Sequence, residues 1–385
     1  MNKKMKIILI VMECVLLLAV VGLALVLFLR QQPEDSLAAS TTTDMTTGAP
    51  TTEVTTAPPT TEEPTEPPTT EATLPPQTEP EPTEPEPEPE RFLISFAGDC
   101  TLGNQRGDTR STSFLKTVGD NYPWPFAGVL PYFEMDDFTF VNFEGTLTSS
   151  SAAADKQYTF KAPADYAKCL IAGSIDAVTL ANNHSHDYGT KGYSDTKAAL
   201  EAEGIAYVGE NGTLLYTTDT GLVVGVYAGA FNVNTSTMRN KIADLRAKGA
   251  EIVIFSFHWG VEGSYTPTAS QKKLAHAAID AGADIVYGHH PHVLQPIEEY
   301  NGGVIYYSMG NFSFGGNTNP SDKDTVLIQQ EVIREVDGTV HLGETILIPC
   351  SISSVSNRND HQPTPLEEGT AAYDRVLKKL NGTYR

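Results

Sequence analysis

An α/β fold is predicted for the chain beyond residue 90, on three observations. Short apolar runs rich in β-branched and aromatic residues alternate with helical stretches, the pattern of strands joined by crossover helices. Four of those stretches stop at a glycine, namely Gly173, Gly204, Gly249 and Gly282, as helices commonly do. Five of the apolar runs break off on carboxylate, amide or imidazole side chains.

In chain order, the run at 92–97 ends on Gly98-Asp99 and the run at 138–143 on Glu144-Gly145. A helix expected over 164–172 leads to the run at 176–181, which ends on Asn182-Asn183-His184. Helices at 192–203 and 235–248 precede the run at 252–257, ending on His258-Trp259-Gly260. A helix over 269–281 leads to the run at 284–287, which ends on Gly288-His289-His290-Pro291-His292. If the strands are mostly parallel, their C-terminal ends share one sheet edge, where α/β proteins bind ligands. Beyond Cys350, residues 351–360 read as a polar loop and 366–380 as a helix packing on the body.

The first ninety residues have a different character. Residues 1–6 carry three lysines, and 7–29 are twenty-three residues in which Glu13 is the sole charge. That length spans a bilayer and exceeds the roughly 7–15 apolar residues of a cleaved secretion signal. With the lysines held in the cytoplasm, the expectation is a signal anchor: a single-pass protein of the cell membrane whose C-terminal domain is extracellular. Between residues 31 and 90 lie fourteen acidic and no basic residues, fourteen of the 25 prolines, and seventeen threonines. Proline stiffness and like-charge repulsion make 30–90 an extended, disordered linker.

Of the net charge of −22, half or so falls beyond residue 90. A negative body with no Lys/Arg cluster excludes a basic nucleic-acid binder, so no nucleic-acid partner is expected. The four cysteines, at 14, 100, 169 and 350, show no metal spacing. They cannot form a disulfide scaffold, although a single bridge stays open.

Taken singly, each strand-end motif has an ordinary reading: a turn at Asp99, a cap at Glu144, a satisfied core histidine at His258. Three histidines within four residues, at 289, 290 and 292, are harder to read structurally. Together the motifs offer carboxylates, an amide and several imidazoles. Mixed N and O donors without thiolate suit Mn, Fe or Zn, as one or two divalent ions, better than Ca²⁺ or an iron–sulfur cluster. A paired-metal centre of this kind activates water and polarises a phosphoryl oxygen, which points to phosphate-ester hydrolysis. One imidazole would stay off the metal to protonate the leaving group, and His184, beside Asn183, is best placed.

Seven blocks in order extend the pattern: AGDCTLG at 97–103, VNFEGTLT at 141–148, FKAP at 160–163, LANNHSHDYG at 180–189, FSFHWG at 255–260, GHHPHVLQP at 288–296 and YSMGNFSFG at 307–315. On these the chain resembles the CapA family of poly-γ-glutamate capsule biosynthesis proteins, within the calcineurin-like metallophosphoesterase superfamily. The resemblance implies a two-sheet sandwich flanked by helices over 91–350. It implies metal ligands at Asp99, Glu144, Asn183, His258, His290 and His292, with His184 as the catalytic acid. Asp187, Asn311 and His289 would stand behind the ligands or on the substrate side; His186, His276, His341 and His361 are left without a role. It further implies a metal-dependent phosphoesterase-type hydrolase acting on an anionic polymer or phosphate ester, with polymer synthase or export subunits as partners. Two departures bear on activity. Typical metallophosphoesterases carry a His two residues after the first Asp, where this chain has Thr101, and Glu144 stands for their bridging Asp. Two ions, one ion, or a remnant site in a non-catalytic scaffold all remain open on that basis.

Overall fold

The computed structural model describes residues 87–384, and the basic end, the expected membrane helix and all but the last few linker residues lie outside them. Two sheets dominate. The first has seven strands in the order Thr364–Pro365, Val340–Ser351, Asp324–Arg334, Glu90–Phe96, Phe138–Asn142, Ala177–Thr179, Ala206–Val208. Its last four are parallel, and Asp324–Arg334 pairs antiparallel with Glu90–Phe96. The second has six, in the order Ile297–Tyr300, Gly303–Tyr306, Ile285–His289, Ile252–His258, Val223–Ala230, Thr213–Thr217. Its middle four are parallel.

The period-2 pleat decides what each sheet buries. Along Glu90–Phe96 it sends Phe92, Ile94 and Phe96 to one face. There they meet Val224, Val226, Ile254 and Tyr287 of the second sheet in one core, so the sheets stack face to face. The outer face of the first sheet, with Val141 and Val178, is covered by Phe126, Phe133, Leu170 and Leu200. The outer face of the second, with Val253, Phe255 and Val286, is covered by Met238, Ile242 and Ala275. Mixed α/β layering follows: helices, sheet, sheet, helices.

The crossover helices occur at Ala167–Ala172, Gly189–Ala202, Thr235–Ala247 and Ala269–Ile279. Two starts are set by side chains. Asn234 accepts from the backbone N–H groups of Ser236 and Thr237, and Thr268 forms a reciprocal capping box with Gln271. Gly204, Gly249 and Gly282 take positive φ after their helices, but Gly173 does not; there the left-handed residue is Ser174. Glycine is needed at 173 for space, because a Cβ would meet the Phe126 ring at 2.5 Å.

The final helix is shorter than the expected 366–380. It spans Ala371–Leu380 behind its cap Thr370, because Thr364–Pro365 adds a strand to the first sheet and Gly369 turns left-handed. Lys379 of this helix is 3% exposed, and its Nζ lies 2.7 Å from Asp322 Oδ2 and from Asp324 Oδ2, while Arg375 also grips Asp324. Burial would raise the Asp324 carboxyl, but the two cations hold it below its ordinary value. Lys379→Met removes one of the two cations on Asp324 and the cation on Asp322, and the expected loss is about 1.5–3 kcal/mol of stability. A urea midpoint equal to that of the wild type would refute this account of the helix.

Cys100, Cys169 and Cys350 are all buried, unpaired thiols, so the bridge left open by the sequence does not form among the described residues. Burial pushes Cys169 and Cys350 up to about 12, which leaves them unreactive.

Candidate metal centre

The five run ends meet at one place. Asp99 opens the short strand Asp99–Thr101, which pairs parallel with Asn311–Phe314 and so brings Asn311 beside it. Glu144 and the 182–184 turn follow Phe138–Asn142 and Ala177–Thr179 of the first sheet. From the second sheet, His258 and His289 end neighbouring parallel strands in direct register. His290 and His292 then bend the chain back, with φ of 103° and 58°. Strained non-glycine backbone of this kind persists only where the surroundings over-determine it.

Glu144 is the centre of the arrangement. Its Oε1 lies 3.8 Å from His184 Nε2, 3.8 Å from His258 Nε2 and 3.9 Å from His292 Nε2. Asp99 Oδ2 lies 3.2 Å from His292 Nδ1 and accepts the His290 backbone N–H at 3.3 Å. His258 reaches Asn183 Oδ1 through Nε2 at 2.8 Å and His289 Nδ1 through its own Nδ1 at 2.7 Å. His289 Nε2 meets Ser256 Oγ at 3.1 Å, and Asn311 Oδ1 lies 2.9 Å from His292 Nδ1. To one side, His184 Nδ1 is 2.9 Å from Asp187 Oδ2.

The titration behaviour reflects crowding of like groups away from water. Burial pushes Glu144 up to about 8, with Asp99 and Asp187 adding to the rise against the pull of His292. Burial opposes the charge on His292 as well, but Glu144 and Asp99 hold it up at about 10. Asp99 would rise through burial, yet its bond to His292 brings it below the usual range. Burial drives His289 down to about 3 and lowers His258 and His290, with the neighbouring imidazoles contributing.

Both Glu144 oxygens and His290 Nδ1 are buried without a hydrogen-bond partner. Leaving such groups unsatisfied is costly, and a cation satisfies them. The 3.8 and 3.9 Å gaps from Glu144 Oε1 to His258 and His292 are too long for hydrogen bonds but fit two coordination bonds of about 2.1 Å each. Three donor groups emerge with ligand atoms within 4.8 Å of one another: Asp99–His258–His289, Asp99–Glu144–His292, and Glu262–His290–His292. The residues present therefore fit a divalent cation.

The structure thus gathers all ten of the singled-out residues. His289 stands closer in than expected, as part of a donor group and not only behind one. Four contributors were missed from sequence. Asn142 donates to Asp99 Oδ1 at 2.9 Å and accepts from Asn182 at 3.0 Å. Its place two residues before Glu144, on the same face of an extended segment, was the available signal. Tyr287 donates its hydroxyl to Ala97 O and accepts the Asn142 N–H, but read as an apolar strand residue. Lys156 pairs with Asp187 at 2.5 Å and lies 3.3 Å from His184 Nδ1; it and Glu262 sit alone in polar loops with no motif. Of the histidines without a role, His276 stacks on Tyr300 beside Glu298, His341 pairs with Glu335, His186 stacks on Tyr193, and His361 meets two backbone carbonyls.

Fold and site together define a two-sheet α/β protein with a carboxylate–imidazole centre at its parallel strand ends. The chain belongs to the bacterial capsule synthesis protein PGA_cap family, whose model matches residues 93–226 and 224–316. It is 31% identical to the capsule biosynthesis protein CapA of Bacillus anthracis, over 76% of this chain and 73% of that one. It is 30% identical to the PGA biosynthesis protein CapA of Bacillus subtilis, over 74% and 77% respectively. Among solved structures, the NAD nucleotidase of Haemophilus influenzae overlaps 77% of this chain and 63% of its own, at 12% identity and a TM-score of 0.40.

Proposed function

We propose that this capsule-family chain is a membrane-anchored, extracytoplasmic protein of poly-γ-glutamate or capsule assembly, with a metal-dependent phosphoesterase-type site. The single observation carrying the site is Glu144: fully buried, with two unpartnered oxygens facing three imidazoles. Asp99, Glu144, Asn183, His258, His290 and His292 would hold one or two ions of Mn, Fe or Zn. Such ions, when bound, supply Lewis-acid polarisation and an activated water.

The chain's own residues supply the rest. Asp187 fixes the His184 ring through Nδ1 and balances its positive charge, so that Nε2, on the Glu144 side, presents a proton to the leaving oxygen. Lys156, held by Asp187 and by the Asn183 carbonyl, gives a net-negative body a local cation for an anionic polymer or phosphate ester. Asn311 and His289 orient His292 and His258. The apolar stretch at 7–29 behind three lysines supports a single-pass anchor in the cell membrane with the domain outside, beside polymer synthase or export subunits.

Elemental analysis of the full chain, purified in detergent, tests the site: one or two transition-metal ions per chain are expected. None after growth and dialysis with Mn, Fe or Zn would remove the hydrolase reading. A scaffold without turnover is the second reading, favoured by Thr101, a buried hydroxyl with no partner where a ligand histidine would be expected. Polymer production unaffected by His184→Asn but lost on deleting 7–29 would select it.

A further inference from the structure

We propose that Glu262 is a cation ligand, closing a second and outer cation position with His290 and His292 at the mouth of the centre. The inference rests on the metal-site reading above and goes beyond it, because Glu262 belongs to none of the strand-end motifs.

The backbone explains how a loop residue comes to lie there. After the strand Ile252–His258, the chain turns between Gly260 and Gly263, both of positive φ. The turn closes on itself, with the Ser264 N–H donating to Val261 O at 3.1 Å. It is also tied to the histidine segment at two points. Gly263 N–H donates to the carbonyl of Pro291, the residue between the two histidines, at 2.8 Å, and Gln295 Nε2 donates to Ser264 O at 2.8 Å. Glu262 is therefore tethered above His290 and His292 while its side chain stays exposed. Its carboxylate has no hydrogen-bond or ion-pair partner among the described residues, although ligand atoms of both histidines lie within 4.8 Å.

The second observation is on His290. This ring is 7% exposed, and Nδ1 has no hydrogen-bond partner. An imidazole held in strained backbone with an unsatisfied nitrogen beside a free carboxylate is half of a coordination set. Two imidazoles and one carboxylate leave a coordination position open, as in catalytic rather than closed structural sites. The two positions differ in kind. The inner one uses Glu144 and Asp99, both fully buried, whereas the outer one uses a carboxylate in water that can adjust by the few tenths of an ångström needed to bind. The outer cation should thus be the weaker and more readily exchanged of the two, placed where an anionic substrate would first meet positive charge.

The test is direct binding of Mn²⁺ to the full, chelator-stripped chain, followed through the paramagnetic signal of free Mn²⁺. Wild type should take up two ions with separate affinities. Glu262→Gln should leave the tighter ion in place and weaken the second by at least about tenfold, while Glu262→Asp retains two. Because residue 262 is exposed, equal melting temperatures of the stripped proteins exclude misfolding. Two ions bound by Glu262→Gln with wild-type affinities would overturn the assignment, as would a single ion in wild type that is insensitive to the change. No Mn²⁺ in wild type at all would instead fell the underlying metal-site reading, and this inference with it.

Discussion

Glu144→Gln should raise the melting temperature of the metal-free chain while removing the larger part of the stabilisation expected from divalent metal, the share of the proposed inner ion. The first effect follows from burial. In the stripped chain a carboxylate sits fully buried with neither oxygen bonded, an arrangement costing on the order of 1–3 kcal/mol or more. The amide keeps the shape and stays neutral at every pH, whereas the acid must hold a proton up to about pH 8 to stay uncharged. At roughly 2–4 °C per kcal/mol for a large domain, a rise of several degrees is expected. The second effect follows from mass action, since a ligand at about 100 times its Kd stabilises by about 2.7 kcal/mol, and the variant lacks the carboxylate charge that faces three imidazoles.

The pH dependence carries the sign. Glu144 is raised from 4.5 to about 8 in the fold, so its contribution to stability is fully present below about 4.5 and is lost as pH rises through about 8. His292, raised to about 10, runs the same way, its share disappearing as pH passes that value. His289, lowered to about 3, opposes them in acid: the unfolded chain takes up its proton below the ordinary histidine range, and folding weakens there. Below about pH 6.5 His292 is protonated in both the folded and the unfolded chain, so there the wild-type minus Glu144→Gln difference reports Glu144, and it should widen in favour of the variant from pH 5 to pH 6.5. A stripped variant that melts below wild type at pH 6.5, or that gains as much from Mn²⁺, contradicts the role given to Glu144.

How much of this was legible depends on which physical signal each residue carries. The parallel strands were readable because, buried on both faces, they appear as continuous apolar runs, and each ends abruptly where its side chains must turn polar. Val223–Ala230 escaped because its run is diluted by glycine and alanine, which pack beneath neighbours such as Phe257 and Leu245. The long antiparallel pair Asp324–Arg334 and Val340–Ser351 escaped for the opposite reason. Gln329, Gln330 and Glu331 interrupt the pattern, and their partners, such as Ser95 and Tyr306, lie far away in sequence. The site's supporting groups share that property. Asn142 and Tyr287 are separated by 145 residues, and His258 and Asn183 by 75; composition does not encode such pairings, whereas ligand-type residues at strand ends advertise themselves by chemistry. The helix stop at Gly173 was read from the right residue for the wrong cause, since the close Phe126 ring and not left-handed backbone demands glycine there.

On the phosphoesterase function proposed above, His184→Asn should lower kcat for a model phosphate ester by about 10²–10⁴ while leaving the metal content of the chain unchanged. The geometry separates this histidine from the others. His258, His290 and His292 each belong to a donor group with a carboxylate, whereas His184 belongs to none; its Nδ1 is committed to Asp187 at 2.9 Å, and only Nε2 turns toward Glu144, at 3.8 Å. A ring so held can pass a proton without being consumed as a ligand. Asp187→Asn tests the same unit from behind. Asp187 is fully buried, accepting also from Phe160 N–H and pairing with Lys156 at 2.5 Å, so the amide preserves packing but no longer balances an imidazolium. Its kcat should fall nearly as far as that of His184→Asn, and the double variant should be little worse than either, because one broken unit cannot be broken twice. KM should change little in all three, since the proton is transferred only in the transition state. Additive losses would show that Asp187 acts on something other than His184. Metal loss on His184→Asn would reassign the ring to the coordination sphere and leave the leaving-group proton to another donor, for which Lys156 is the nearest cation.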